Sequence, residues 1–168
     1  FPLCMQLYVS LSWWGPLDGM KWYYAYESLN WFGNYGEIFS DAKFWGSLGR
    51  TFLIVAVVVP VEFLLGLGLA MLFADKFPGK RVFYSIMLMP MMIVPAVAGY
   101  MFFMLFQSSG PINDILSAIS GTKVATVWLA DPDLAMISVM IADIWQWTPL
   151  MFLILLAGMV GVPEDQIK

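Results

Sequence analysis

Three long apolar stretches decide what this chain can fold into. Residues 51–74 read TFLIVAVVVPVEFLLGLGLAMLFA, with Glu62 as their one charge. Residues 82–106 read VFYSIMLMPMMIVPAVAGYMFFMLF and carry none. Residues 134–160 read LAMISVMIADIWQWTPLMFLILLAGMV, with Asp143 alone. Each is near or above the roughly 20 apolar residues that cross about 30 Å of hydrocarbon as a helix. Inside lipid the backbone has no water to bond, so a spanning segment must satisfy its own N–H and C=O groups, and helices do so locally. The alternation of period two that a barrel strand needs is missing. The expected fold is therefore all-α, a polytopic transmembrane helical bundle.

Composition narrows the chemistry. Hydrophobic residues make up 61% and charged residues 12%, against roughly 45–50% and 25% in ordinary globular chains. The net charge of −4 leaves no basic surface on which nucleic acid could bind; the expected surroundings are lipid. There is no histidine, and Cys4 is the one cysteine. That removes internal disulfides, Cys-rich metal sites, Ser-His and Cys-His pairs and HExxH zinc chemistry. No catalytic residue and no metal site is expected, and an enzyme would have to work with carboxylates alone. No GxxxxGK[ST] loop is present, so ATP is not bound by that route.

Loop charge sets the orientation. Residues 75–81, DKFPGKR, pack three cations and one anion into a short link and are expected in the cytoplasm. Residues 107–133, with one lysine and three aspartates, suit the periplasmic side, as do residues 12–50 with three cations and four anions. Residues 1–11 are apolar but about half the length of a span, and are expected as the end of a helix whose start lies upstream. Residues 161–168 return to the cytoplasm. The loop SWWGPLDGMKWYYAYESLNWFGNY is rich in Trp and Tyr. Such rings settle at the membrane–water boundary, buried on one side and wet at the N–H or O–H; direct contact with a ligand is the second reading.

The candidate site residues are the polar ones inside the spans. Glu62 sits at mid-span, where a carboxylate costs several kcal/mol unless protonated, paired or beside water. It reads either as a lining group of a hydrated pathway or as an interhelical hydrogen bond. Arg50, about 18 Å along the same helix by rise, is too far to be its partner. Asp143, Gln146 and Trp147 fall at i, i+3 and i+4 and share a helix face. A carboxylate, an amide and an indole together can bond and stack on a polyol or sugar ring, or can form a polar seam between helices. Pro149 frees a carbonyl one turn earlier and invites a kink. GLGLA at residues 66–70 lies inside a span, so its glycines read as helix packing and not as a nucleotide loop. Gly66 with Ala70, and Ala157 with Gly161, are small-xxx-small pairs. Asn113, after Gly110-Pro111, reads as a helix N-cap.

The order NWFGNY, FW, RT, LGLGLA, GKR, two prolines in the third span, GPIND, WLADP and IWQWTPLMFLILLAGMVGVPED resembles the permease subunit of a carbohydrate ABC importer of the maltose type. The likeness runs along the whole chain and is most specific at its end. It implies part of a six-helix permease core in a bacterial or archaeal cytoplasmic membrane. It also implies a second permease, copy or paralogue, two cytoplasmic ATPase subunits that hold the ATP and Mg, and an external solute-binding protein. No cofactor is implied in this chain. The resemblance places Val162 to Lys168 on the approach to the EAA coupling loop, with Pro163, Glu164 and Asp165 opening a helix whose positive end favours acids. The implied work is alternating access for a sugar or polyol, with Asp143, Gln146, Trp147 and Glu62 along the path. The rival readings are an ion-coupled secondary transporter using Glu62 and Asp143, a membrane-embedded enzyme using the same pair, and a non-transporting assembly subunit.

Overall fold

The computed structural model describes residues 2–17, 19, 21–74 and 77–161. Helices account for nearly all of its regular structure: α1 (Pro2–Ser10), a 3-10 helix (Trp22–Ser28), α2 (Gly33–Ser40), α3 (Ala42–Ala74), α4 (Lys80–Met92), α5 (Pro95–Leu105), α6 (Pro111–Ser120) and α7 (Pro132–Gly161). Two compact units are present, Phe1–Phe52 and Leu53–Lys168.

The first unit is knotted around the end of α1. A helix leaves its last carbonyls without intrahelical donors, and here Asn34 supplies them. Its Nδ2 donates to the carbonyls of Ser10 at 3.0 Å and Ser12 at 2.8 Å. Ser10 Oγ and Tyr35 Oη share a 2.7 Å hydrogen bond, and the backbone N–H of Asn30 donates to Leu11 O. The NWFGNY stretch is thus a wrap around a helix end. Residues 12–50 are not a plain loop: they hold the 3-10 helix, α2 and the start of α3. Asp41 explains the early start of α3, because its Oδ1 accepts the backbone N–H of Lys43 at 2.8 Å and so serves an otherwise orphaned donor.

In the second unit α3 and α7 are each long and apolar enough to cross a membrane. The stretch 82–106 is not one helix. It is α4 and α5, bent by 94° at a break over Ile93 and Val94, and it passes as a span only as a pair. Pro95 is the cause. It has no N–H to continue the helix, and its ring pushes the preceding residue out of the α region; Val94 sits at φ −58°, ψ 132° and Ile93 at φ −79°, ψ 131°. α7 continues as helix through Pro149.

Three further particulars fix the frame. Lys80 Nζ donates to the Phe73 carbonyl in the last turn of α3, a cation at the negative end of a helix. Asp131 Oδ1 accepts the N–H groups of Asp133 and Leu134, both at 3.0 Å, which starts α7. The loop 107–133 contains α6, and Asn113 is not its N-cap: Gly110 holds that place. Asn113 is instead buried, its Nδ2 donating to Ser108 O at 3.0 Å and Thr126 O at 2.9 Å while its Oδ1 accepts Trp128 Nε1 at 2.9 Å. One side chain thereby ties both sides of the loop.

The core lies where α3, α4 and α7 meet. Ala70 and Phe73 of α3 pack on Phe152 and Leu156 of α7, and the Phe73 ring meets Tyr84 and Phe152 edge-on, with centroids 5.2 Å apart in both pairs. Gly66 permits the approach. A Cβ there would lie 2.9 Å from Phe152 N and 3.1 Å from Met151 C. Gly66 and Ala70 are both buried and act as the expected small pair. Ala157 and Gly161 are exposed, and that pair packs against nothing among the described residues.

Candidate functional site

Polar groups inside the spans gather at one level of the α3–α7 seam. Gly66 meets Met151 and Phe152, and Ala70 and Phe73 pack with Phe152 and Leu156, so α3 and α7 approach closely there. Glu62 is buried, its Oε1 has no hydrogen-bond partner among the described residues, and the field of Asp143 reaches it. Thr148 is buried as well, with Oγ1 also unpartnered. Unmet polar atoms in an apolar environment are costly, and these helices hold two of them among the described residues.

Gln146 takes a different part. It is 7% exposed, and its Nε2 donates to the carbonyl of Ile93 at 3.0 Å. That carbonyl lies at the break between α4 and α5, where no helical N–H reaches it. The amide therefore closes a gap in the backbone bonding of the neighbouring span. Asp143 is half-buried on the same helix. Trp147 is 39% exposed. The three residues that share a face by spacing thus differ in burial: Gln146 is buried on the break, Asp143 is half-buried and Trp147 is exposed.

Beside the seam, α3, α4 and α7 leave an apolar groove of about 410 Å³, with Leu65, Leu69, Ile86, Pro90, Trp145 and Thr148 among its walls. Trp145 meets Phe102 of α5, the two rings edge-on at 5.3 Å. Sequence reasoning missed Thr148, Trp145 and the Ile93 carbonyl. Only the break had a signal, the Val94-Pro95 pair. In the first unit, Tyr23 and Tyr24 stand 4.7 Å apart, Lys21 Nζ lies 5.7 Å from the Tyr23 ring centroid, and together with Glu27 they border an open hollow. Pro163, Glu164 and Asp165 lie outside the described residues.

No protein-family model matches the sequence. The chain is 36% identical over 136 residues to the probable ABC transporter permease y4oQ of Sinorhizobium fredii, covering 80% of this chain and 43% of that protein. It is 36% identical over 137 residues to the trehalose transport system permease SugA of Mycobacterium tuberculosis, covering 81% and 43%. The trehalose/maltose permease MalF of Thermococcus litoralis is 33% identical over 133 residues, covering 79% and 44%. The chain thus spans somewhat under half the length of these curated relatives. Two solved structures share its fold. A bacterial ABC transporter involved in the import of the acidic polysaccharide alginate superposes with a TM-score of 0.75 at 15% identity, over 99% of this chain and 55% of that one. The bacterial alginate ABC transporter in complex with an alginate pentasaccharide-bound periplasmic protein gives 0.68 at 19%, over 81% and 48%. Over about four-fifths of its length the chain is thus similar in sequence to permease subunits of ABC transporters, and it shares the fold of these importer chains.

Proposed function

We propose that this chain is part of a permease subunit that carries a sugar or polyol across the cytoplasmic membrane, driven by ATP hydrolysis on separate subunits. The observation that carries the reading is the likeness to permeases of trehalose and maltose systems along four-fifths of the chain. The relatives' names supply the substrate class. A second permease, two cytoplasmic ATPase subunits and an external solute-binding protein complete the assembly in this reading. Residues 75–81 and 161–168 face the cytoplasm in it, and Pro163, Glu164 and Asp165 lead toward the ATPase. Asp143 and Glu62 belong to the hydrated side of the pathway, since a passing polyol or water offers hydroxyls to carboxylates that the apolar seam leaves poorly served.

The test is uptake of radiolabelled trehalose and maltose by cells expressing the complete transporter. Uptake should survive collapse of the ion gradients while ATP is maintained, and stop when ATP is depleted. The opposite pattern would favour an ion-coupled carrier with Glu62 and Asp143 as its coupling groups. Asp143→Asn should weaken uptake more than assembly, because it keeps the shape and removes the charge. Unchanged uptake kinetics in that variant would take Asp143 out of the path.

A further inference from the structure

The geometry points to Gln146 as a positioning residue that latches the broken span against α7, its release freeing α5 to swing about Ile93 and Val94 during the transport cycle. The inference rests on the transport reading only for the word cycle; the latch itself is a property of these helices.

Three observations carry it. The break is sharp, 94°, and its two residues are in extended conformation, so the helical bonds that would hold α5 in line with α4 are missing there. The Ile93 carbonyl is met from another helix, by Gln146 Nε2 at 3.0 Å, and the donor is buried, so water does not compete freely for the bond. Beyond the break, Ala98 is the one buried residue of α5 among the described residues. Val97, Tyr100, Met101, Phe103 and Met104 are exposed, and the hold on α7 includes the Phe102–Trp145 edge contact. A helix half with few buried contacts hinged at two extended residues moves easily once its polar tie is cut. Glutamine suits this part because its amide reaches across as a donor and carries no charge to bury.

The experiment reads the bend directly, in the complete transporter reconstituted in lipid. Spin labels at Phe83→Cys on α4 and Met104→Cys on α5, both exposed positions, report the distance across the break in a background that includes Cys4→Ser. The wild type should give a narrow distribution without nucleotide. Gln146→Leu, which cannot donate, should shift the ratio of bent to other conformers by about 2–13-fold, the effect of one net hydrogen bond. Gln146→Glu keeps the size and makes the donor switchable: ionised it has no proton to give, protonated it donates to Ile93 O. Its distribution should be broad near pH 8 and narrow near pH 5. The other titratable groups nearby are Glu62 on α3 and Asp143 on α7, and residues 82–106 carry no charge; the wild type and Gln146→Leu at both pH values control for them. A wild-type distribution in both variants, or a Gln146→Glu distribution indifferent to pH, overturns the latch. Uptake measured on the same preparations separates the two readings: absent ATP-driven uptake with a pH-switched bend refutes the transport function and leaves the latch standing.

Discussion

Gly66 offers the sharpest test of how these helices are held. A methyl group placed there would sit 2.9 Å from the backbone nitrogen of Phe152 and 3.0–3.1 Å from atoms of Met151. The nearest atom is backbone, so no rotamer change relieves the clash, and α7 must retreat by roughly half an ångström to restore contact distance. A gap of that size forfeits about a quarter of each dispersion well, and a buried side chain makes some 40–60 contacts of about 0.1–0.2 kcal/mol. For Phe152, buried at the centre of the core, the loss comes to about 1–3 kcal/mol, the usual range for overpacking. Ala also has an intrinsic helix advantage over Gly of up to about 1 kcal/mol, which would blur a single measurement. Gly68 removes that ambiguity. It lies on the same helix with nothing within 4 Å of its would-be Cβ, so Gly68→Ala collects the same helix term without the clash. The quantity to measure is the stability difference between the two variants of the full-length permease in detergent or bicelles, by denaturant titration. Gly66→Ala should be the less stable by about 1–3 kcal/mol, a factor of roughly 5 or more in the folded ratio. Equal stability would refute the close α3–α7 approach.

Two other sites give readings of opposite sign. Asn113→Leu keeps the volume but strands Trp128 Nε1 and the carbonyls of Ser108 and Thr126; it should cost about 3 kcal/mol or more and speed amide hydrogen exchange in residues 107–133 while α3 keeps its protection. Thr148→Val removes a hydroxyl that has no partner, so it should leave stability unchanged or raise it by about 1 kcal/mol; a clear loss in the same denaturant titration would mean that Oγ1 is served by a buried water.

The apolar runs of the long helices were legible, but their starts were not read: α3 begins at Ala42, nine residues ahead of the stretch 51–74. Asp41 and Asp131 cap α3 and α7 through their own Oδ1 atoms, and an aspartate ahead of an apolar run is a signal that sequence carries. The break in 82–106 had a signal too, in Val94-Pro95, but apolarity continues straight through it, and apolarity responds to burial in lipid, not to direction. Gln146 illustrates the harder limit. Its neighbours by spacing are Asp143 and Trp147, yet its bonding partner lies 53 residues away, and nothing on its own helix could point there. The two small-xxx-small pairs make the same point: identical patterns, of which Gly66–Ala70 meets another backbone and Ala157–Gly161 meets open space. A local pattern states what a helix permits; only the neighbour decides whether it is used.

The polar residues of the spans nevertheless obey a common constraint. Asp143, Gln146 and Thr148 lie within about 8 Å along α7 by helical rise. Glu62 joins them from α3 and the Ile93 carbonyl from the broken span. Elsewhere in the spans the buried side chains are apolar or small, apart from Ser138, whose hydroxyl is absorbed by its own helix through the Leu134 carbonyl. Hydrocarbon penalises each polar group separately, so scattering them would multiply the penalty, whereas grouping lets one amide serve one broken backbone and lets water or a hydroxylated solute serve several groups at once. The prolines act in the same place: Pro95 opens the backbone of one span and Pro149 frees a carbonyl on another. In the proposed reading, a level of the bundle that combines interrupted backbone, two carboxylates and a buried amide is where a polar solute would meet the smallest barrier, and where a change in helix packing would most alter that barrier.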